Sequence, residues 1–141
     1  GTDIERLHRL MALIVERVAY TPGATSVTTP AEEALALKTG VCQDHSHIFV
    51  AAARAMGFPA RYVSGYLMMD AAIEQAASHA WAEAHVQGLG WVAFDAANGI
   101  SPDERYVRVA TGRDYRDASP VSGIRLGQAE EQLAVTVTVE Q

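Results

Sequence analysis

The apolar residues of this chain change their spacing once, at Gly57-Phe58-Pro59, and that change limits the folds open to it. Before it they recur at three- and four-residue steps, the period of one helix face. After it they come in short β-branched and aromatic runs, the habit of strands. Ile4, Leu7, Met11, Ile14, Val15 and Val18 make the first stripe, with Glu5, Arg6, Arg9, Glu16 and Arg17 mostly between them. A helix is expected over 3–19, capped by Thr2 or Asp3 and ended by Tyr20-Thr21-Pro22-Gly23. Residues 21–29 read as a loop or extended arm. Thr29-Pro30-Ala31-Glu32 then reads as a helix start, with Thr29 as N-cap, Pro30 in the first turn and Glu32 closing a capping box. This short helix is expected to run to about Lys38.

The next helix, 42–56, carries Ile48, Phe49, Val50, Ala51, Ala52, Ala53, Ala55 and Met56. So many apolar residues leave little room for a polar face, so this helix is expected to be central and buried. Gly57 closes it, Phe58 folds back on it and Pro59 prevents its continuation.

Strands follow at 61–68, 79–86, 91–96 and 106–110, and again at 121–126 and 133–139. Residues 69–78 form a linker with helical leanings, and 111–120 a Gly/Asp/Pro loop. Gln87-Gly88-Leu89-Gly90 joins two strands as a hairpin, and Asn98-Gly99 turns the chain again. Helices first and an antiparallel sheet after them is the α+β pattern, here about three helices on five or more strands. At 141 residues the whole chain reads as a single domain.

The formal charge of −6 gives the wrong field for a nucleic-acid or anionic-membrane partner. Arg105, Arg108, Arg113 and Arg116 are interleaved with Asp103, Glu104, Asp114 and Asp117, which reads as a solvated mixed surface. No apolar run approaches the ~18 residues of a membrane span. Asp3, Glu5 and Arg6 make the first residues unlike a secretory leader. Cys42 is the only cysteine, which excludes an internal disulfide. A lone thiol fits a reducing compartment, hence the cytoplasm, or a reactive side chain.

Chemistry favours the second use of Cys42. It follows Gly40 by two residues and opens the 42–56 helix, where unpaired N–H groups and the helix dipole favour a thiolate. The same N–H groups can hold a tetrahedral oxyanion, the Cys42 amide supplying one donor. A thiolate nucleophile needs a base, and His79 stands at the start of a strand-like run. The base needs a group to fix its tautomer, and Asp95 lies across the hairpin. A plain four-residue loop would pair residue 82 with 95 and put His79 and Asp95 on opposite faces. A three- or five-residue loop, or a glycine bulge, puts them on one face as diagonal neighbours, so an irregular hairpin is expected.

Gly40-Val41-Cys42-Gln43-Asp44, Arg54 and Gly57-Phe58-Pro59-Ala60-Arg61-Tyr62-Val63-Ser64-Gly65-Tyr66 resemble the core of the bacterial transglutaminase-like superfamily. His79-Ala80-Trp81-Ala82-Glu83, Gly90-Trp91-Val92-Ala93-Phe94-Asp95 and Asn98-Gly99 continue the likeness in the family's order. The resemblance implies a papain-like fold and a Cys-His-Asp triad at Cys42, His79 and Asp95. It implies acyl transfer through a thioester to water or to an amine: proteolysis, amide hydrolysis or glutamine-amine cross-linking, on a peptide or protein substrate, with no metal or organic cofactor. Family chains usually carry a further β-rich N-terminal region, so the sequence reads as a catalytic domain excised from a longer chain. His45-Ser46 and Ala96-Ala97 depart from the family's usual residues and bear on the shape of the cleft.

The remaining candidates have ordinary readings beside functional ones. Gln43, His47, Tyr66 and Trp81 are candidates for the cleft or its support. His47 equally reads as a core histidine, Tyr66 as packing, and Trp81 as core or as a shield over the His79 pair. His8 and His85 read as surface residues, and Glu83 as a buried ion-pair partner of Arg54 or Arg61. A zinc site from Cys42, His45, His47 and His79 converges poorly, since residues two apart on a helix diverge. A non-catalytic peptide-binding module on the same fold is the competing class.

Overall fold

The computed structural model describes residues 2–21, 23, 29–68 and 76–118. Its elements are α1 (Asp3–Arg17), β1 (Ala19–Tyr20), α2 (Ala31–Leu37), β2 (Thr39–Gly40), α3 (Cys42–Ala55), β3 (Ala60–Met68), β4 (Ala76–Val86), β5 (Gly90–Phe94), β6 (Tyr106–Gly112) and α4 (Tyr115–Ala118). The order β5-β4-β3-β6 makes one four-stranded sheet, and each neighbouring pair is antiparallel. The expected strands at 121–126 and 133–139 lie outside the described residues.

The core lies between α1, α3 and one face of the sheet. Leu7, Met11, Ile14 and Val18 meet Ile48, Phe49, Val50 and Ala53 of α3 and Ala82, Ala84, Val86 and Phe94 of the sheet. Phe49 and Phe94 are fully buried and stack at 5.0 Å between ring centres. Each such side chain contributes about 1.5–3 kcal/mol by leaving water. The small residues of β4 let α3 approach the sheet closely.

Thr2 caps α1 by accepting the Glu5 N–H. Gly57, at φ +96°, takes the left-handed position after α3, and the Phe58 N–H reaches back to the Ala53 carbonyl at 3.0 Å. The α2 start falls one residue later than expected. Pro30 is the N-cap and makes no side-chain cap bond, so Thr29 stands outside that position. The helix ends on Lys38 in the left-handed conformation.

Other details depart from the reading of the sequence. Thr39–Gly40 pairs in parallel with Ala19–Tyr20, tying the end of α1 to the residues before Cys42. Helix α3 is buried around most of its circumference, as expected, and is exposed only at Ala51, Arg54 and Ala55 toward its end. Alanine favours a helix on either face, so an alanine-rich run does not report burial. Strand β4 begins at Ala76, within the expected linker, so His79 sits inside a strand instead of opening it. The expected 111–120 loop contains the single turn α4.

Arg105 pairs with Asp103 and Arg113 with Asp117, as a mixed surface requires. Arg108 instead reaches across the sheet to the buried Glu83, which Arg61 also binds at 2.7 Å. Arg54 is not a partner of Glu83. Its guanidinium forks onto the Ala60 carbonyl and ties the end of α3 to the start of β3.

Candidate active site

The peptide before α3 is held in shape by Asp44. Its Oδ2 accepts the Val41 N–H at 2.9 Å, closing the first turn from within. A Cβ at Gly40 would lie 2.6 Å from the Asp44 Cβ, so only glycine lets that carboxylate into place. Cys42 is thereby the first residue of α3, partly exposed, with its carbonyl accepting from the Ser46 hydroxyl at 2.7 Å. His45 is buried and bridges two carbonyls, Val41 at 2.7 Å and Val18 at 2.9 Å, locking α3 to the end of α1.

Val86 pairs with Gly90 and Ala82 with Phe94, so the hairpin has the three-residue loop Gln87-Gly88-Leu89. That register sets position 95 opposite Trp81 and puts Asp95 on the same face as His79. Gly88 and Gly90, at φ +89° and +86°, take the left-handed positions that make the odd loop possible. His79 Nε2 stands 2.7 Å from Asp95 Oδ2. His79 and Cys42 line one cleft, and Nδ1 is the ring nitrogen that Asp95 leaves unused. Imidazole and carboxylate are thus hydrogen-bonded, and the cysteine borders the same cleft as the imidazole.

Asp95 is fully buried and densely solvated by protein donors. The Ala97 and Asn98 N–H groups reach Oδ1 at 3.1 and 3.3 Å. Asn98 Nδ2 and the Tyr106 hydroxyl donate to Oδ2 at 2.8 and 2.6 Å. Burial works against its charge, but the bond to His79 and these further donors outweigh it and hold the acid below the usual carboxylate range. Burial likewise works against a charge on His79. Asp95 and Cys42 reverse that and raise the imidazolium to about 9.

Cys42 and His79 border a cleft of about 150 Å³ that Gln43, Tyr62, Ser64, Ser78 and Tyr115 also line. A larger cavity of about 350 Å³ lies on the far side of Tyr115, against His47 and Arg54, and touches neither His79 nor Asp95. Gln43 reaches the cleft. His47 accepts the Tyr115 N–H at 3.1 Å and tilts against Tyr62, and burial lowers its pKa, so it supports the wall from behind. Trp81 is buried on His79's face, 6.2 Å between ring centres. Tyr66 is buried and is not part of this cleft's lining. His45 and His47 point to different partners, Val18 and Tyr115, and do not converge with Cys42.

Two groups at the site escaped the sequence reading. Asn98 reads there as a turn residue, and Tyr106 as one of many strand aromatics. Asn98 lies three residues beyond Asp95, a spacing at which a turn brings an amide onto the preceding carboxylate. Tyr106 carries no comparable signal, since only the pairing of β6 on β3 brings it near.

A cysteine at the start of a buried helix, packed on an antiparallel sheet that carries the histidine, defines the papain-like cysteine-enzyme fold. The chain belongs to the transglutaminase-like superfamily, whose model matches residues 1–96. An uncharacterized protein of Mycobacterium leprae is 39 % identical over 128 residues, covering 87 % of this chain and 45 % of that protein. An uncharacterized protein of Mycobacterium bovis is 36 % identical over 147 residues, covering 97 % of this chain and 46 % of that protein. A crystal structure of a candidate cysteine protease from Cytophaga hutchinsonii superposes with a TM-score of 0.73 at 34 % identity. It covers 84 % of this chain and 39 % of that one. The chain thus spans less than half the length of each of these relatives.

Proposed function

We propose that this domain catalyses cysteine-dependent acyl transfer through a thioester, with hydrolysis of a peptide or amide bond in a protein or peptide as its reaction. The observation that carries this reading is the 2.7 Å His79–Asp95 bond beside a cleft that His79 shares with the partly exposed Cys42. With its acidity weakened to about 9, His79 holds a proton at neutral pH and stands as a cation beside the sulfur. The thiolate attacks the carbonyl carbon, and the carbonyl π pair moves onto oxygen. His79 gives its proton to the leaving amine as the intermediate collapses to the thioester. Water, deprotonated by the now neutral ring, attacks the thioester and releases the acid. Asp95 keeps the ring in one tautomer and orientation throughout. Cys42, His79 and Asp95 act as nucleophile, acid-base and orienting group.

The test is the rate of iodoacetamide alkylation across pH. Wild-type Cys42 is expected to react at pH 6 at least about tenfold faster than free cysteine, whose thiol is almost wholly protonated there. His79→Ala should return the profile to that of an ordinary thiol. Identical profiles in wild type, mutant and free cysteine would leave a binding module on this fold. Release of ammonia or of a new amino terminus, against incorporation of an added amine, separates hydrolysis from cross-linking.

A further inference from the structure

The larger cavity has no part in the chemistry described so far, and its lining differs in charge from the molecule around it. Tyr115 borders both that cavity and the Cys42 cleft, so one aromatic ring separates the two spaces. The ring is a fixed partition: the Tyr115 N–H bonds His47 Nε2 at 3.1 Å, and Tyr62 packs edge-on at 6.3 Å between centres. Behind it Pro30, Val50 and Ala51 give the cavity an apolar floor. Its volume, about 350 Å³, is that of an ordinary ligand pocket.

The chain carries a formal charge of −6, yet three of the four permanently charged residues lining this cavity are arginines. Arg113 is taken by Asp117 at 2.6 Å. Asp114, the one acid, turns Oδ1 to the N–H groups of Arg116 and Asp117 and so caps its own turn. Arg54 gives Nε and Nη2 to the Ala60 and Arg113 carbonyls, which fix its guanidinium without neutralising it. Among the described residues, neither Arg54 nor Arg116 has a carboxylate partner.

We infer that this cavity is the pocket for an aspartate or glutamate side chain of the substrate, close in sequence to the residue held at Cys42, with Arg54 and Arg116 as its cations. This rests on the acyl-transfer reading above. An extended peptide advances about 3.3 Å per residue, so a chain lying in the cleft passes one aromatic ring within about two residues. The apolar floor takes the methylene stem, and a guanidinium fork matches the two oxygens of a carboxylate. A lysine side chain would meet two like charges there and be rejected.

Two measurements on this protein test the pocket. In the first, a random peptide library is digested and the cut sites are sequenced. Wild type is expected to favour glutamate over glutamine about fivefold at one position near the cut, the upper range for one partly exposed ion pair. Arg116 is exposed, so its substitution leaves the core intact. Arg116→Gln should bring that ratio near one, and Arg116→Glu should abolish it or reverse it in favour of lysine, which a loss of stability cannot do. No acidic preference in wild type, or one that Arg116→Glu leaves standing, would overturn the assignment. A preference for apolar residues at that position would also overturn it, since the floor alone would then be the pocket. In the second, N-acetylglutamate N-methylamide, which carries one carboxylate, is titrated while NMR follows the Nε–H signals of Arg54 and Arg116. Those signals should move with this probe and not with its glutamine analogue; an equal response to both, or to neither, would sink the proposal. Failure of the parent reading looks different: wild type cuts nothing in the library, and the titration alone then decides the pocket.

Discussion

At the scale of single residues, Asp95 does two jobs that a sequence motif merges into one. It orients His79, and it is itself held by Tyr106, Asn98 and two backbone N–H groups. Asp95→Asn keeps the shape but removes the charge and presents an amide to the ring, favouring the wrong tautomer. We expect kcat to fall by about 10²–10⁴ with a much smaller change in KM. A fall of less than threefold would remove Asp95 from the mechanism. Tyr106→Phe deletes one charge-assisted hydrogen bond and leaves the ring that packs edge-on against Trp81. It should cost about 1.5–3 kcal/mol of stability by denaturant titration. It should also shift the His79 ionisation seen by NMR, which lost packing alone would not do.

Among the elements, the sheet controls which residues meet. Glycine is needed at position 65 because a Cβ there would sit 2.0 Å from the Val107 carbonyl oxygen and 2.9 Å from the Trp81 ring. The β3–β6 register also shifts between Ser64 and Gly65, so the two strands approach closely where the cleft wall turns. Backbone cannot retreat as a side-chain tip can. Gly65→Ala is therefore expected to destabilise by about 1–3 kcal/mol in denaturant titration and to displace β6, carrying Tyr106 away from Asp95. A stable variant with unchanged Asp95 hydrogen bonds would show that the strands have more freedom than this contact implies. The three-residue hairpin has the same logic, since one residue of slippage would turn His79 and Asp95 to opposite faces.

For the molecule as a whole, the buried ion pair makes stability depend on pH. His79 is raised above its ordinary 6.5 to about 9, so its contribution is complete below 6.5 and is lost as pH rises through 9. Asp95 is lowered, so its contribution is present above about pH 4 and is lost as pH falls below that. The pair therefore stabilises most between about pH 4 and 6.5. Melting curves of wild type and Asp95→Asn should converge between pH 6.5 and 9.5, by about 3 kcal/mol at most. Parallel curves across that range would mean that His79 is not charged by Asp95.

The order of helices and strands was legible in the chain because each element satisfies its own backbone and shows its period locally. So were the helix-opening place of Cys42, the Gly57 stop and the need for an odd hairpin, each a matter of a few neighbouring residues. The Tyr106 and Asn98 bonds to Asp95 and the pairing of Tyr20 with Gly40 became visible only in three dimensions. So did the rerouting of Arg108 to Glu83 and the exposure of Ala51 and Ala55 toward the end of α3. These depend on which strand lies beside which and on how far a side chain reaches across the gap. Spacing along the polymer does not encode that distance; only the packed sheet and the helices against it fix it.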